Sequence, residues 1–368
     1  GDLNFYPVDG ANGIRSGRTD RARRRIWEAH VQPKRHQKTS LWICWKPVYS
    51  VSMKALGVLL VTMTGMRAHW GRPAIGIVLM SAGVLMQPLC DGAIKLLSDR
   101  YPLVQLLWIR FFFPFWIIAL IAWRRNGPRV FITGRTKLLV CRSLFLLGAS
   151  YCFYAAIKHI PLADASAIAS SNPLILLVLL GIILRERIAL RLWMAVLLGL
   201  MAVCIIIRPG FEGYNPASLY ALGAAFLAAG FMFINRLLRN NVTPLVTVLY
   251  QLFIASLIMT PIMPFVWVKP APVDLLLVIA GSLGNVCGHL LVIKAFNFAE
   301  ASLLAPFMYS SIITHIVMGY LLFGDLPDIW TWLGIALLVG VGIYVSLKDP
   351  ALVSGSETPR LGGELGGA

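Results

Sequence analysis

The stretch QPLCDGAIKLLSDRYPLVQLLWIR, residues 87–110, places Asp91, Lys95 and Arg110 in a part of the chain that is otherwise apolar for dozens of residues on both sides. Its polar centre, SDRYP, is typical of a turn. The apolar run on either side is near the ~20 residues that a helix needs to cross a bilayer. The stretch therefore predicts two membrane-spanning helices joined by a short loop, with charges at depth.

The composition indicates that most of the protein surface faces lipid. The 368 residues are 58% hydrophobic and 13% charged, with a mean hydropathy of +0.75, whereas soluble domains carry about 25% charged residues. The net charge of +17 does not point to nucleic acid, because thirteen of the 33 Lys and Arg lie in residues 1–72 and most others lie in short loops. That distribution is typical of a membrane protein with basic cytoplasmic loops.

Ten apolar segments follow one another along the chain, each near the length of a spanning helix. They cover residues 73–98, 102–123, 137–158, 161–184, 190–208, 216–238, 243–268, 272–296, 300–323 and 328–347. The loops are only a few residues long except at 124–136, so there is no room for a catalytic domain outside the membrane. We predict an all-α integral membrane protein with ten transmembrane helices.

The basic residues predict the orientation. With ten helices both ends lie on one side, and the loops on that side hold eleven Lys and Arg against four in the opposite loops. Basic loops stay in the cytoplasm, so both termini are predicted to be cytoplasmic.

The two ends of the chain differ from its centre. Residues 1–72 are polar and basic, with RARRR at 21–25. Two interpretations remain open: a disordered basic extension, or an over-long reading frame whose true start is Met53 or Met66. We favour the second, because Met66 lies just before the first helix. The Gly-rich residues 348–368 are predicted to form a disordered tail.

The second half of the chain repeats the first. LRERIALRLW at 184–193 aligns with FGDLPDIWTW at 323–332, and a slightly different offset aligns Arg110 with Gln251. Since each copy has five helices, an odd number, the second copy crosses the membrane in the opposite sense. Inverted repeats recur in secondary transporters, with the substrate site between the halves near the midplane. The two predicted units cover residues 73–208 and 216–347.

Three stretches resemble the EamA-type members of the drug/metabolite transporter superfamily. PLCDGAIKLLSDRYPLVQLLWIR resembles the family's first helix hairpin, IPLADASAIASSNPL (160–174) its fourth helix and AEASLLAPFMYSSI (299–312) its ninth. The resemblance implies a bacterial inner-membrane carrier with a central cavity. It leaves the substrate open among amino acids, nucleotide-like metabolites, vitamins and drugs, and one similar branch carries S-adenosylmethionine. The basic extension at residues 1–72 is a departure from typical members.

The charges of the opening stretch allow two interpretations. Asp91 and Arg110 lie at equal depth, each roughly 14 Å from the loop at Tyr101, and Lys95 follows Asp91 on the same helix face. A lone charge at depth costs at least ~2.5–3.5 kcal/mol, so we expect Asp91 to be neutralised by Lys95, Arg110 or both. The cluster either fixes the packing of the two helices, a role for which Arg110 is the strongest candidate, or borders a cavity and binds a zwitterion or a proton.

Softer candidates lie at depth in other helices. A proline that breaks helix 4 or helix 9 exposes polar backbone only where that backbone faces a cavity, and a histidine there can couple transport to protons. The competing interpretation is ordinary hydrogen bonding between helices, which we favour for the histidines, serines and tyrosines. These candidates are Tyr151, Tyr154, Ser170, Asn172, Asn285, His289, Tyr309, Ser310 and His315.

The sequence contains no nucleotide-binding GxxxxGK[ST], HExxH or GxSxG motif. The six cysteines have no CxxC or His spacing of a metal site. We therefore predict no enzymatic activity, cofactor or metal. The expected function is secondary transport of a small polar or amphipathic metabolite by a monomer or homodimer, with membrane lipid and a coupling proton as further partners. The alternative is a membrane scaffold or lipid-flippase-type subunit without metabolite flux.

Overall fold

The computed structural model describes residues 72–127, 134–183, 190–210, 214–238, 242–296, 298–299 and 301–348. All regular structure in these ranges is helical. The predicted extension before residue 72 and the tail after residue 348 lie outside the described residues.

The helices follow the ten predicted segments, which confirms the ten-helix fold. Eight spans are long and apolar enough to cross a membrane, and two shorter apolar helices complete the set. The bounds are α1 Arg72–Leu97, α2 Leu103–Asn126, α3 Thr136–Ile157, α4a Leu162–Ala169, α4b Asn172–Ile183, α5 Leu190–Ile207, α6 Ser218–Leu238, α7a Pro244–Met259, α7b Met263–Val266, α8 Pro272–Ala295, α9a Ala301–Met308, α9b Ser310–Phe323 and α10 Ile329–Lys348.

Proline explains where the fourth span changes direction. Pro173 has no N–H to donate, so the chain turns at Ser170 and Ser171 between α4a and α4b. The backbone N–H of Ser171 donates to the Ile168 carbonyl at 3.1 Å, three residues back. The ninth span is interrupted at Tyr309, its counterpart in the second repeat. Pro88 and Pro114 lie inside α1 and α2, close in sequence to Asp91 and Arg110.

The packing of the helices relates the two halves by a pseudo-twofold. The α1 helix packs on α8, and its counterpart α6 packs on α3. In the same way α1 contacts α9a and α9b, as α6 contacts α4a and α4b, while the counterpart pairs α2–α7a and α5–α10 pack on each other. The inverted five-helix repeats therefore interlock, each placing its first helix against the other.

Glycines allow the closest of these approaches. A Cβ on Gly83 of α1 would lie 2.7 Å from the carbonyl oxygen of Gly288 in α8. A Cβ on Gly230 of α6 would lie 2.5 Å from the ring of Phe145 in α3. Large apolar side chains cover the outside of the bundle, among them Trp116 of α2, as expected of a surface that meets lipid.

Candidate functional site

A buried carboxylate joins both halves of the bundle. Asp91 is 1% exposed and accepts hydrogen bonds at Oδ1 from Arg110 Nη1 at 3.2 Å and from the Tyr154 hydroxyl at 2.5 Å. Its Oδ2 lies 3.1 Å from His315 Nε2. We call these four residues the Asp91 cluster. It brings together α1, α2 and α3 of the first repeat and α9b of the second.

The cluster is closely packed around its charges. The Arg110 guanidinium lies 4.9 Å from the centre of the Tyr154 ring, a distance suited to a cation–π contact. The ring of His315 is 3% exposed and lies 6.2 Å from the ring of Phe153. A buried carboxylate is stable in lipid only with such partners. The equal depth expected for Asp91 and Arg110 agrees with their contact.

Of the two cations expected to neutralise Asp91, Arg110 contacts it and Lys95 does not. The Lys95 ammonium donates to the Ile160 carbonyl at 3.0 Å and to Asp325 Oδ2 at 3.4 Å, and it lies 4.8 Å from the centre of the Phe323 ring. Lys95 lies one helical turn closer to the end of α1 than Asp91 does. At that depth its side chain reaches the loop between α9b and α10. Asp325 thus anchors that loop to α1.

Lys95 belongs to a set of polar contacts at one membrane face. We call the face where α1 begins the near face, and the face where α1 ends the far face. At the far face, Gln105 donates to the Val268 carbonyl at 2.7 Å and accepts from the Val268 N–H at 2.9 Å. The Tyr101 hydroxyl donates to Asp274 at 2.9 Å. These bonds and the Lys95–Asp325 pair, here called the far-face ties, link the first repeat to the second.

A second polar group, not predicted from the sequence, lies toward the near face. Arg142 of α3 is 5% exposed, and its Nε donates to Asn235 Oδ1 of α6. Its Nη1 donates to the Thr247 carbonyl at 3.1 Å and to Gln251 Oε1 at 3.2 Å, both on α7a. The signal in the sequence was a charge at the sixth residue of the apolar segment 137–158, and Gln251 was already aligned with Arg110.

The remaining predicted residues are not joined to either group by a described hydrogen bond. Ser170 and Ser310 donate to carbonyls of their own helices, Ser166 at 2.7 Å and Phe307 at 2.6 Å. Local bonds of this kind are the ordinary state of serine in a helix. Asn172 is half-buried at the start of α4b.

Two candidates on α8 and two tyrosines occupy different surroundings. Asn285 is buried, whereas His289 one turn later is accessible and lies within electrostatic range of Arg110, Arg142 and Asp91. Tyr151 is exposed on another face of α3 than Tyr154. The Tyr309 hydroxyl packs against Gly342 of α10. Within the described ranges no three His, Cys, Asp or Glu residues are grouped to hold a metal ion.

Comparison with known proteins gives a family and several relatives. A family model described as the EamA-like transporter family matches residues 74–208 and again residues 215–347. The chain is 25% identical over 282 residues to an S-adenosylmethionine uptake transporter of Rickettsia bellii, covering 76% of this chain and 96% of the relative. It is 28% identical over 279 residues to the pseudopaline exporter CntI of Pseudomonas aeruginosa, covering 73% and 97%.

Two further matches agree with the fold and the family. A riboflavin transporter of Vibrio cholerae is 30% identical over 202 residues, covering 53% of this chain and 66% of the relative. A solved crystal structure superposes with a TM-score of 0.52 at 15% identity, covering 77% of this chain and 98% of the other. The similarity to that structure concerns the fold alone.

Proposed function

The chain belongs to the EamA-like transporter family and is a multi-pass membrane transporter of a small molecule, and from that premise we propose that it is a secondary carrier of an amphoteric metabolite. By amphoteric we mean a cargo that carries both a cationic and an acidic group. S-adenosylmethionine is of this kind and is the named cargo of the Rickettsia bellii relative. The observation that carries the proposal is the burial of Asp91 between donors from both repeats.

The geometry of His315 supports a proton in this cluster. Its Nδ1 lies 2.7 Å from the Ser311 carbonyl oxygen, and its Nε2 lies 3.1 Å from Asp91 Oδ2. A carbonyl and a carboxylate only accept, so each contact needs a hydrogen between the two atoms. A neutral imidazole supplies one such hydrogen. The second is therefore an added proton, held by His315 or by Asp91.

Cargo and proton then compete for one carboxylate oxygen. Asp91 Oδ2 has His315 as its described partner, while Oδ1 is occupied by Arg110 and Tyr154. When the added proton leaves, the cationic group of the cargo takes its place against Oδ2. Coupling of this kind exchanges a proton for a cargo molecule, and each bound state has its own preferred conformation.

The far-face ties support alternating access. They link the α1–α2 hairpin of the first repeat, through Lys95, Gln105 and Tyr101, to two loops and the start of α8 in the second repeat. We assign them to a state closed at the far face, and opening that face requires their separation. The near face is assigned to the cytoplasm from the basic loops, with the carrier in the inner membrane. This function involves transport and no catalysis.

The test uses purified protein reconstituted in liposomes, with labelled S-adenosylmethionine as the probe and an imposed pH gradient. We expect wild-type flux that depends on the gradient, and loss of flux in Asp91→Asn. The matched control is Asp99→Asn, the same substitution at an exposed position eight residues later, which should transport normally. His315→Gln should transport without dependence on the gradient.

Two outcomes contradict the proposal. If folded Asp91→Asn transports at the rate of Asp99→Asn, the Asp91 cluster is a packing element and not a binding site. If wild-type protein moves neither S-adenosylmethionine nor another amphoteric metabolite of a panel, the scaffold or lipid-flippase alternative is favoured, and a labelled-lipid scrambling assay separates these two.

A further inference from the structure

Arg142 is a buried cation whose described partners are all neutral. It donates to a side-chain amide oxygen of Asn235, a side-chain amide oxygen of Gln251 and the backbone carbonyl of Thr247. Its guanidinium also lies 4.4 Å from the centre of the Phe231 ring. No carboxylate among the described residues pairs with it. By contrast, Arg110, also buried, contacts Asp91.

The two groups lie on related pairs of helices in the pseudo-twofold. Asp91 and Arg110 lie on α1 and α2, the first two helices of one repeat, toward the far face. Asn235 and Gln251 lie on α6 and α7a, the first two helices of the other repeat, toward the near face, and Gln251 aligns with Arg110. Arg142 and Asp91 are each six residues from a helix end, roughly 9 Å at 1.5 Å per residue.

The near-face group therefore combines a cation from α3 of the first repeat with no anion among the described residues. Where the first repeat has a carboxylate, the second offers only the amides of Asn235 and Gln251. A buried guanidinium without a counter-ion is costly in a membrane. The three hydrogen bonds use Nε and Nη1, so neither N–H of Nη2 has an acceptor in the described part of the chain. A planar fork of donors suits a carboxylate.

We propose that Arg142 is the binding site for the carboxylate of the cargo, and that the cargo supplies the anion which the second repeat lacks. This deepens the proposed function, on which it rests: the carboxylate of an amphoteric metabolite binds at Arg142, toward the near face, at a point distinct from Asp91. His289 of α8 is exposed and lies within electrostatic range of both groups. The substrate class is thus an amino acid derivative whose carboxylate is free.

The first arm of the test uses the simplest carboxylate. Acetate, acetamide and chloride are titrated into detergent-purified protein at matched ionic strength, and the apparent Tm is recorded. A ligand that binds the folded state raises Tm in a saturable way. We expect acetate to do so and the neutral isostere acetamide not to. The acetate effect should be lost in Arg142→Gln and kept, more weakly, in Arg142→Lys.

The second arm compares two probes that differ by the carboxylate alone, S-adenosylmethionine and its decarboxylated form. Wild-type protein should bind the first roughly 10- to 100-fold more tightly, the range for hydrogen bonds to a charged group. Arg142→Gln should remove this difference by weakening the first probe and leaving the second unchanged. A variant that has merely lost its packing weakens both probes alike.

Arg142→Gln leaves a space in the packed interior that could itself destabilise the protein. Asn235→Asp avoids this problem, because the two side chains have the same size. The new carboxylate takes the place of the amide oxygen that already accepts from Arg142 Nε. It creates an acid–arginine pair at the near face, as Asp91 and Arg110 form one toward the far face. We expect this variant to have a higher Tm without ligand, no response to acetate, and no preference for the carboxylated probe.

The outcomes separate this proposal from the proposed function. If acetate raises Tm only when Arg142 is present but S-adenosylmethionine does not bind, the carboxylate site is supported and S-adenosylmethionine is rejected as the cargo. Binding of both probes with equal affinity, or equal weakening of both by Arg142→Gln, overturns the carboxylate site and leaves the carrier function intact. A preference for the carboxylated probe that survives in Asn235→Asp also overturns it.

Discussion

Substitution of Gly83 by alanine tests whether the contact between α1 and α8 is as close as the structure shows. The added Cβ would lie 2.7 Å from the Gly288 carbonyl oxygen, 2.8 Å from Val292 Cγ2 and 3.1 Å from the Val292 backbone nitrogen. Two of these three atoms are backbone, so relief requires α8 to move as a body. Overpacking of this kind costs about 1–3 kcal/mol. Replacing glycine by alanine inside a helix also stabilises the helix by about 0.5–1 kcal/mol, which offsets part of this cost.

Gly223 is the matched control, because it lies in α6, the counterpart of α1. A Cβ there would meet only Cys152 Sγ at 3.9 Å, an ordinary contact. Gly223→Ala therefore gains helix propensity without overpacking. The difference between the two variants isolates the cost of the clash, about 1–3 kcal/mol. At roughly 2–4 °C per kcal/mol for a chain of this size, Gly83→Ala should melt about 2–12 °C below Gly223→Ala.

The assay is the apparent Tm of detergent-purified protein, recorded at one fixed heating rate because unfolding of such proteins is governed by rates. Equal Tm values for the two variants would refute the close packing of α1 on α8. The same result would remove the strongest packing argument for a shared interface between the repeats. A lower Tm in Gly223→Ala than in Gly83→Ala would show that the two interfaces have been assigned the wrong spacing.

Three further predictions concern single side chains. Gln105→Leu removes both hydrogen bonds to Val268 and should lower the apparent Tm by an amount equivalent to about 1–3 kcal/mol, while increasing labelling of a cysteine introduced at the far face. Tyr154→Phe removes one of three donors to Asp91. It should clearly lower S-adenosylmethionine flux while changing the apparent Tm only slightly. For Asp328, partial desolvation opposes ionisation, but hydrogen bonds to Thr331 and the guanidinium of Arg208 outweigh it, so the pKa lies below its ordinary 3.8. A depressed carboxyl pKa adds stability above the unfolded pKa, and this stability is lost as pH falls through the folded pKa. Wild-type protein should therefore lose more stability than Asp328→Asn below about pH 4. Parallel curves of Tm against pH for the two proteins would contradict this assignment.

The sequence predicted the helices well because a membrane leaves the backbone few choices. Each span must satisfy its own hydrogen bonds, so apolar length alone marks a helix. The break in the fourth span followed from Pro173, which has no N–H. The contact between Asp91 and Arg110 followed from equal depth in adjacent antiparallel helices. All three inferences depend on neighbours in sequence.

The partners across the repeats were beyond this reasoning. His315 is 224 residues from Asp91, and Asp325 is 230 residues from Lys95. Packing such as that at Gly83 sets which face of each helix meets the other repeat. Lys95 contacts the far-face loop because it lies one helical turn closer to that face than Asp91. Tyr154 was identified as a candidate, but its position beside Asp91 required the fold.

Arg142 was overlooked for a different reason. Basic residues at segment ends indicate orientation, and Arg142 follows a basic loop closely enough to be grouped with it. Depth separates the two roles, because a loop arginine is solvated while Arg142 is 5% exposed between three helices. The alignment of Gln251 with Arg110 already marked the place, since a polar residue retained at a buried repeat position needs a partner.

The unequal charge of the two related groups gives the symmetrical fold a direction. A perfect inverted repeat would hold the cargo equally well in either orientation and at either face. Here the far-face group has an internal anion at Asp91, whereas Arg142 of the near-face group has no anionic partner among the described residues. On the proposal that Arg142 binds the cargo carboxylate, only the acidic end of an amphoteric cargo binds there, which gives the cargo one preferred orientation. On the same proposal, binding stabilises chiefly the conformation in which the near-face contacts form, and this difference between the two conformations couples binding to the change of access.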